Sequence, residues 1–153
     1  PPLFAFDSIP LISTQLSFFP LRYLLTPSSS QDGFYPRVNG TILSAGSHQG
    51  RIISIVGKQT SAPSNGVLSL QTGDNQFVEV MVAPDYEPEV TEIVEVVGLA
   101  GDGADCEVGK VIQYVTRAMG NDLDLELYDK MITLQHAPKY QPLFRQADFV
   151  EAA

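Results

Sequence analysis

The chain has no tryptophan, a single cysteine (Cys106) and two histidines (His48 and His136). One cysteine cannot close an internal disulfide, so nothing calls for an oxidising compartment. Cys106 sits in a strand-like stretch and reads as a small buried hydrophobe rather than a reactive thiol. So few imidazoles and thiols leave little material for a metal centre. His48, in a glycine-flanked loop, and His136, at a helix end, read as solvent-exposed groups. No strand–glycine-rich loop–helix phosphate cradle, G-x-S-x-G elbow or H-E-x-x-H pair occurs. Asp102, Asp105 and Glu107 lack the register of a calcium loop. No nucleophile–base pair is discernible, so the expectation is a non-enzyme with neither metal nor cofactor. Basic residues are also scarce, 9 against 18 acidic, for a net charge of −9. Nucleic-acid phosphates repel such a surface at long range. Long apolar runs are missing too. The longest uncharged run near the start, Ser8 to Leu21, falls short of the ~20 residues a bilayer requires, and prolines at 1, 2, 10, 20 and 27 break up the apolar stretch around it.

What is present suits one domain with a real core: 153 residues, 44% of them hydrophobic. Residues 1–35 read as an irregular extension. The folded part is expected from Tyr35-Pro36-Arg37-Val38-Asn39-Gly40, with a helical turn over 41–45 capped by Asn39 or Thr41. Asn39-Gly40-Thr41 also matches a glycosylation sequon, a motif common by chance. Five strand signals follow. Residues 51–60 are rich in β-branched side chains. Asn65-Gly66 is a strong hairpin signal before 67–72, and Gly73-Asp74-Asn75 turns the chain into the alternating run 77–82. Residues 92–99 form a fourth strand and 106–117 a fifth, with a bulge or bend expected at Gly109. The spacing predicts a mainly β fold, a five-stranded oligonucleotide/oligosaccharide-binding (OB) barrel with a C-terminal helix. The expected partition is an extension (1–35), a barrel (36–119), an assembly helix (120–137) and a tail (138–153).

Asn121 to His136 reads as one amphipathic helix, opened by Gly120-Asn121-Asp122 and ended by Pro138. At about 100° per residue, Leu123, Leu127, Met131 and Leu134 share one sector, and Leu125, Tyr128 and Ile132 the next. Together they span roughly 200°, against the ~100° stripe that a helix needs to lie on its own domain. Two obligations follow, one to the barrel and one to another chain. The connection between the third and fourth strands carries Pro84 and Pro88, too broken for the plug helix usual in this fold. The terminal helix is therefore expected to close the barrel, leaving one sector free.

Binding of single strands by a barrel requires aromatics stacked along an electropositive groove. The candidate aromatics are Phe77, Tyr86 and Tyr114, of which Phe77 and Tyr114 read better as core or edge residues. Five cations, Arg37, Arg51, Lys58, Lys110 and Arg117, are scattered among acids and form no stripe. Arg37, Lys58, Lys110 and Arg117 stand as candidates for a weak contact with DNA.

Three strings carry a family resemblance: Tyr35-Pro36-Arg37-Val38-Asn39-Gly40, Ile93-Val94-Glu95-Val96-Val97-Gly98 and Asp124-Leu125-Glu126-Leu127-Tyr128. In this order and spacing, from about Pro36 to Phe144, the chain resembles the smallest subunit of replication protein A, the eukaryotic heterotrimeric single-stranded-DNA-binding complex. The resemblance implies an OB barrel whose C-terminal helix joins one helix from each of the two larger subunits in a three-helix bundle. It also implies a nuclear, chiefly structural role in DNA replication, repair and recombination, with most DNA contact on the partners. Leu125, Leu127 and Tyr128 belong to the matching motif. Leu123, Met131, Ile132 and Leu134 join them by helical spacing. The alternative is an autonomous OB module that binds single-stranded nucleic acid by itself.

Overall fold

A computed structural model describes residues 35–144. The chain divides into two units between Phe34 and Tyr35, and the description below is of the second. The expectations for 1–34 and 145–153 lie outside the described residues.

A two-residue strand, β1 (Arg37–Val38), leads through Asn39 into α1 (Gly40–Ser44). Asn39 is extended at φ −108°, and its side-chain oxygen accepts from the Ile42 amide at 2.9 Å. That cap holds a helix of only 5 residues, far too short to persist by propensity alone. The same residue is only 5% exposed, so the sequon lies in a buried cap and not on an open loop. Strands β2 (Ile52–Gln59) and β3 (Val67–Thr72) follow, then β4 (Phe77–Met81), β5 (Ile93–Ala100) and β6 (Val111–Gly120). Asn65 and Gly66 carry φ of 52° and 75°, the double positive-φ turn that suits the twist of a hairpin.

The five longer strands close into a ring, β2–β3–β4–β6–β5, and β5 returns to β2 along seven paired positions from Ile52↔Leu99 to Lys58↔Ile93. The seam between β4 and β6 is parallel and short, Val80↔Val111 and Met81↔Ile112. β1 adds on the outside of β2, also in parallel. Inward positions alternate as a closed barrel requires: Ile53 and Ile55 on β2, Leu68 and Leu70 on β3, and Val94 and Val96 on β5 are buried in the core. Each such side chain contributes about 1.5–3 kcal/mol of burial. The architecture is thus an OB barrel with a C-terminal helix.

Two expectations are corrected here. The fifth strand begins at Val111 and not at Cys106. Residues 101–110 instead fold back as a loop, with Gly101 N–H donating to the Lys110 carbonyl and Gly103 N–H to the Cys106 carbonyl, both at 2.9 Å. Gly109, expected at a bulge or bend, is a turn residue at φ 90° just ahead of the strand. The register irregularities of the β5–β6 pair fall further along the strand, where Tyr114 and Met119 of β6 are the extra residues opposite Val97–Gly98 and Ile93–Val94 of β5. Cys106 is buried in this loop, and burial pushes its thiol above the ordinary range.

The barrel is also closed differently from the expectation. The partly buried apolar groups packed on the core cluster are Ile42 of α1, and Val82 and Tyr86 of the proline-broken connection. A single aromatic stands where a helix usually does. The terminal helix, α2 (Leu125–His136), is not the plug: its one buried residue, Ile132, is not part of the core cluster.

The helix also starts later than the spacing predicts. Asp124, not Asp122, is the N-cap, and its carboxylate accepts from the Leu127 amide at 3.0 Å. Leu123 therefore precedes the helix. After Ala137 and Pro138, one further turn, α3 (Gln141–Phe144), forms within the segment expected as a tail. Among the described residues no helix is long and apolar enough to cross a membrane.

Candidate partner interface

Four contacts seat α2 on the barrel unit, spaced along its length. At its start, the chain passes so close to the β3–β4 turn that a Cβ on Gly73 would lie 2.1 Å from the Leu125 carbonyl oxygen. One turn on, Asn39 Nδ2 donates to Asp129 Oδ1 at 2.7 Å. Ile132 is 1% exposed. At the last residue, His136 Nε2–H donates to the Arg37 carbonyl of β1 at 2.6 Å. Between these, Tyr128 is half-buried. Burial pushes its phenol above the ordinary range, with Arg37 opposing and Glu95 reinforcing the shift. The sector containing Leu125, Tyr128 and Ile132, continued by Asp129 and His136, thus faces the protein's own domain.

The other sector points away. Leu127 is 64% exposed and Leu134 is 55% exposed, two helical turns apart, with half-buried Met131 between them. Leu143 and Phe144 of α3 are exposed as well. Leucines spaced i, i+7 along one stripe form a seam of the kind that packs on another helix. The seven apolar residues singled out from the sequence therefore divide. Leu127, Met131 and Leu134 form the outward stripe. Leu125 and Tyr128 are half-buried on the inward side, Ile132 is committed to the fold, and Leu123 lies half-buried ahead of the helix.

The four cations suggested for DNA do not converge. Lys58 on β2 pairs with Glu92 at 3.0 Å. Lys110 pairs with Glu79 at 2.8 Å and Glu107 at 3.1 Å, and hydrogen bonds to those two carboxylates raise its ammonium above the ordinary value. Arg117 on β6 lies 3.5 Å from Glu95, which also accepts from Ser54 Oγ at 2.7 Å. Arg37 stands on β1, beside Tyr128. Exposed pairs of this kind add little to stability, but they neutralise the field that would draw a phosphate backbone. On OB barrels the ligand face is usually the second and third barrel strands with their flanking loops, here β3 and β4. Its outward side chains include Phe77, Glu79 and Met81. Phe77, read from the sequence as a core or edge side chain, is 66% exposed. Tyr114 is half-buried and Tyr86 packs on the core, so the three aromatics share no stacking platform.

Other groups that matter to α2 were invisible in the sequence. Asn39 and Asp129 are separated by 90 positions, and nothing local marks the pair. Asp74 is a second such group. Its carboxylate accepts from the Thr41 amide at 2.8 Å and the Thr41 hydroxyl at 2.7 Å, and from the Thr72 hydroxyl. This clamp fastens α1 to the turn on which α2 rests. Among the described residues, no group of three or more His, Cys, Asp or Glu is placed to hold a metal ion. A crevice of about 230 Å³ at the foot of α2, lined by Lys58, Gln71, Asn75 and Glu126 among others, gathers no nucleophile and base.

A closed five-stranded barrel with this strand order, carrying a helix on its outside, defines an OB-fold protein equipped with an appended helix. The family model for Replication factor A protein 3 matches residues 30–144, and the chain belongs to that family, the small subunit of replication protein A. A chain in the structure of U. maydis Replication protein A bound to ssDNA is 27% identical, covering 72% of this chain and 94% of that one with a TM-score of 0.61. A chain of yeast RPA bound to ssDNA shares the fold at 19% identity, 71% and 97% coverage and a TM-score of 0.50. So does a chain of the S. pombe Stn1–Ten1 complex, at 20% identity, 67% and 91% coverage and a TM-score of 0.50. No curated protein sequence matches the chain.

Proposed function

We propose that this chain is the non-catalytic assembly subunit of a replication protein A heterotrimer. It acts in the nucleus and supports single-stranded DNA binding in replication, repair and recombination. Its α2 joins a three-helix bundle with one helix from each of the two larger subunits. The observation that carries this reading is the pair Leu127 and Leu134, left exposed on a helix whose opposite side is already docked. Residues 36–119 are the barrel that holds the helix, and 120–137 the assembly segment. Covering an exposed apolar stripe is favourable at about 25 cal/mol per Å², and two partner helices provide that cover. The structure of U. maydis Replication protein A bound to ssDNA, to which one chain is similar, supports the same assignment.

The test is co-expression with the two larger subunits. Leu127→Asp combined with Leu134→Asp is expected to abolish co-purification, while the circular-dichroism spectrum of the chain alone stays that of the wild type. Normal recovery of the trimer from the double variant would refute the proposal. The second reading is an autonomous module for single strands, and the exposed Phe77 on the β3–β4 face favours it. It requires binding of a labelled oligonucleotide by the isolated chain, weakening steeply with salt. Absence of binding at low salt removes it.

A further inference from the structure

The C-terminal end of α2 is held by two histidines from distant parts of the chain. His136 is the last residue of the helix and donates to the Arg37 carbonyl at 2.6 Å. Its ring meets that of His48 edge to face, with centroids 5.4 Å apart and planes at 82°. His48 belongs to the loop between α1 and β2, where its Nδ1 lies 2.9 Å from Ser47 Oγ. Both rings are half-buried. This ring contact continues the seating of α2 beyond Asp129 and Ile132, and it is made by two imidazoles from distant parts of the chain.

We propose that His48 and His136 form an acid-sensitive latch that seats the C-terminal end of the assembly helix, closed while His48 is neutral and opened by its protonation. The proposal rests on the assembly reading for its biological meaning, but its physics belongs to this chain alone. Three features of the site disfavour a charge on His48. Burial removes water from the ring, His136 on α2 faces it, and Arg51, just ahead of β2, adds a positive neighbour, so the pKa of His48 is lowered. His136 has a different setting. It ends a helix, where the dipole favours positive charge, and its Nε2–H donates to a carbonyl whether the ring is neutral or charged. A charge on His48, by contrast, is accommodated by moving its ring off His136.

The sign follows from linkage. A histidine whose folded pKa lies below its unfolded value gives stability that is complete above the unfolded value, about 6.5. That stability falls away as the pH drops towards the folded value. Within that window each unit of acidification favours the open end of α2 by up to about tenfold. Opening frees the last turn of the helix, including Leu134 of the outward stripe, so the geometry of the assembly surface becomes pH-dependent.

The experiment is hydrogen exchange on the full chain, read at the amides of 133–137 and corrected for intrinsic rates, at about pH 7.5 and about pH 5.5. The wild type is expected to exchange faster in acid, within the limit above. His48→Phe keeps an aromatic ring against His136 but cannot titrate, and is expected to abolish most of that acceleration. A parallel NMR titration follows the His48 ring itself. In His136→Gln its pKa is expected to move up towards the free value, which a purely structural contact would not produce. Equal acid acceleration in wild type and His48→Phe, or an unchanged His48 titration in His136→Gln, overturns the latch. Neither readout involves the larger subunits, so failure of the latch and failure of the assembly proposal are separate results.

Discussion

The two sides of α2 are built from the same kinds of residue and meet different fates. Ile132 and Leu134 are two positions apart. One is 1% exposed and the other 55%. The inward side is surrounded by directional restraints: a glycine turn with no room for a methyl group, an Asn–Asp hydrogen bond and a histidine on a strand carbonyl. The outward side has apolar surface and the exposed pair Glu126–Lys130 at 2.9 Å, which joins two residues of the helix itself. Directional bonds fix how the helix sits. The non-directional apolar stripe is what remains available for another chain.

The sharpest way to break this contrast is to place the same charge on either side. Ile132→Asp buries a carboxylate without a partner and is expected to cost about 3–5 kcal/mol, measured by urea unfolding of the chain. Leu127→Asp is expected to stay within about 0.5 kcal/mol in the same assay, its effect being confined to assembly. Similar losses from both substitutions would erase the distinction between the two sides.

Next in size is Gly73→Ala, made on the barrel and not on the helix. The added methyl group would collide with backbone at Leu125, and overpacking of this kind costs about 1–3 kcal/mol. Exchange should rise at the amides of the first turn of α2 and change little in β2 and β5. A uniform rise would mean that the turn supports the barrel more than the helix.

Asn39→Ala removes two bonds at once, the cap of α1 to Ile42 and the bond to Asp129. A loss of about 1–2 kcal/mol is expected. A double-mutant cycle with Asp129→Ala separates the two: coupling marks the share that belongs to α2, and strict additivity would show that the Asn39–Asp129 bond carries none of it.

The smallest effect concerns acid. Burial alone would raise the carboxyl of Asp74, but hydrogen bonds from Thr72 and Thr41 outweigh it and hold the group below its ordinary value. Its folded pKa is then lower than the unfolded one. The clamp's contribution is complete above the unfolded value of about 3.9 and is lost as pH falls through the folded value. Asp74→Asn should flatten the acid limb of a stability–pH curve and leave the region near neutrality, where His48 acts, unchanged in slope.

Several parts of this fold were legible locally. The second of the five expected strands, β3, falls at Val67–Thr72, as expected, because Asn65-Gly66 fixes where a hairpin turns. The start of the fifth strand was not. Cys106, Val108 and Val111 read as parts of one long strand, and only the loop's own backbone bonds show that the chain doubles back before Val111. The helix start was ambiguous because Asn121, Asp122 and Asp124 all carry cap-forming side chains, and the one that caps is selected by where the chain meets Gly73. Ion pairs such as Lys110–Glu79 and Arg117–Glu95 join residues from neighbouring strands. Scattered cations in the sequence therefore gave no sign that their charge was already matched.

The sequence by itself determined a closed β barrel followed by a helix with more apolar surface than one domain needs. Both follow from local periodicity, the alternation of strands and the 3.6-residue turn. It could not assign the two apolar sectors, because a helical wheel treats both alike. Tertiary structure decided that Leu125, Tyr128 and Ile132 turn inward while Leu127, Met131 and Leu134 turn outward. The reason is long-range: Gly73, Asn39 and the Arg37 carbonyl reach α2 from the barrel side only, and these contacts break the symmetry of the wheel.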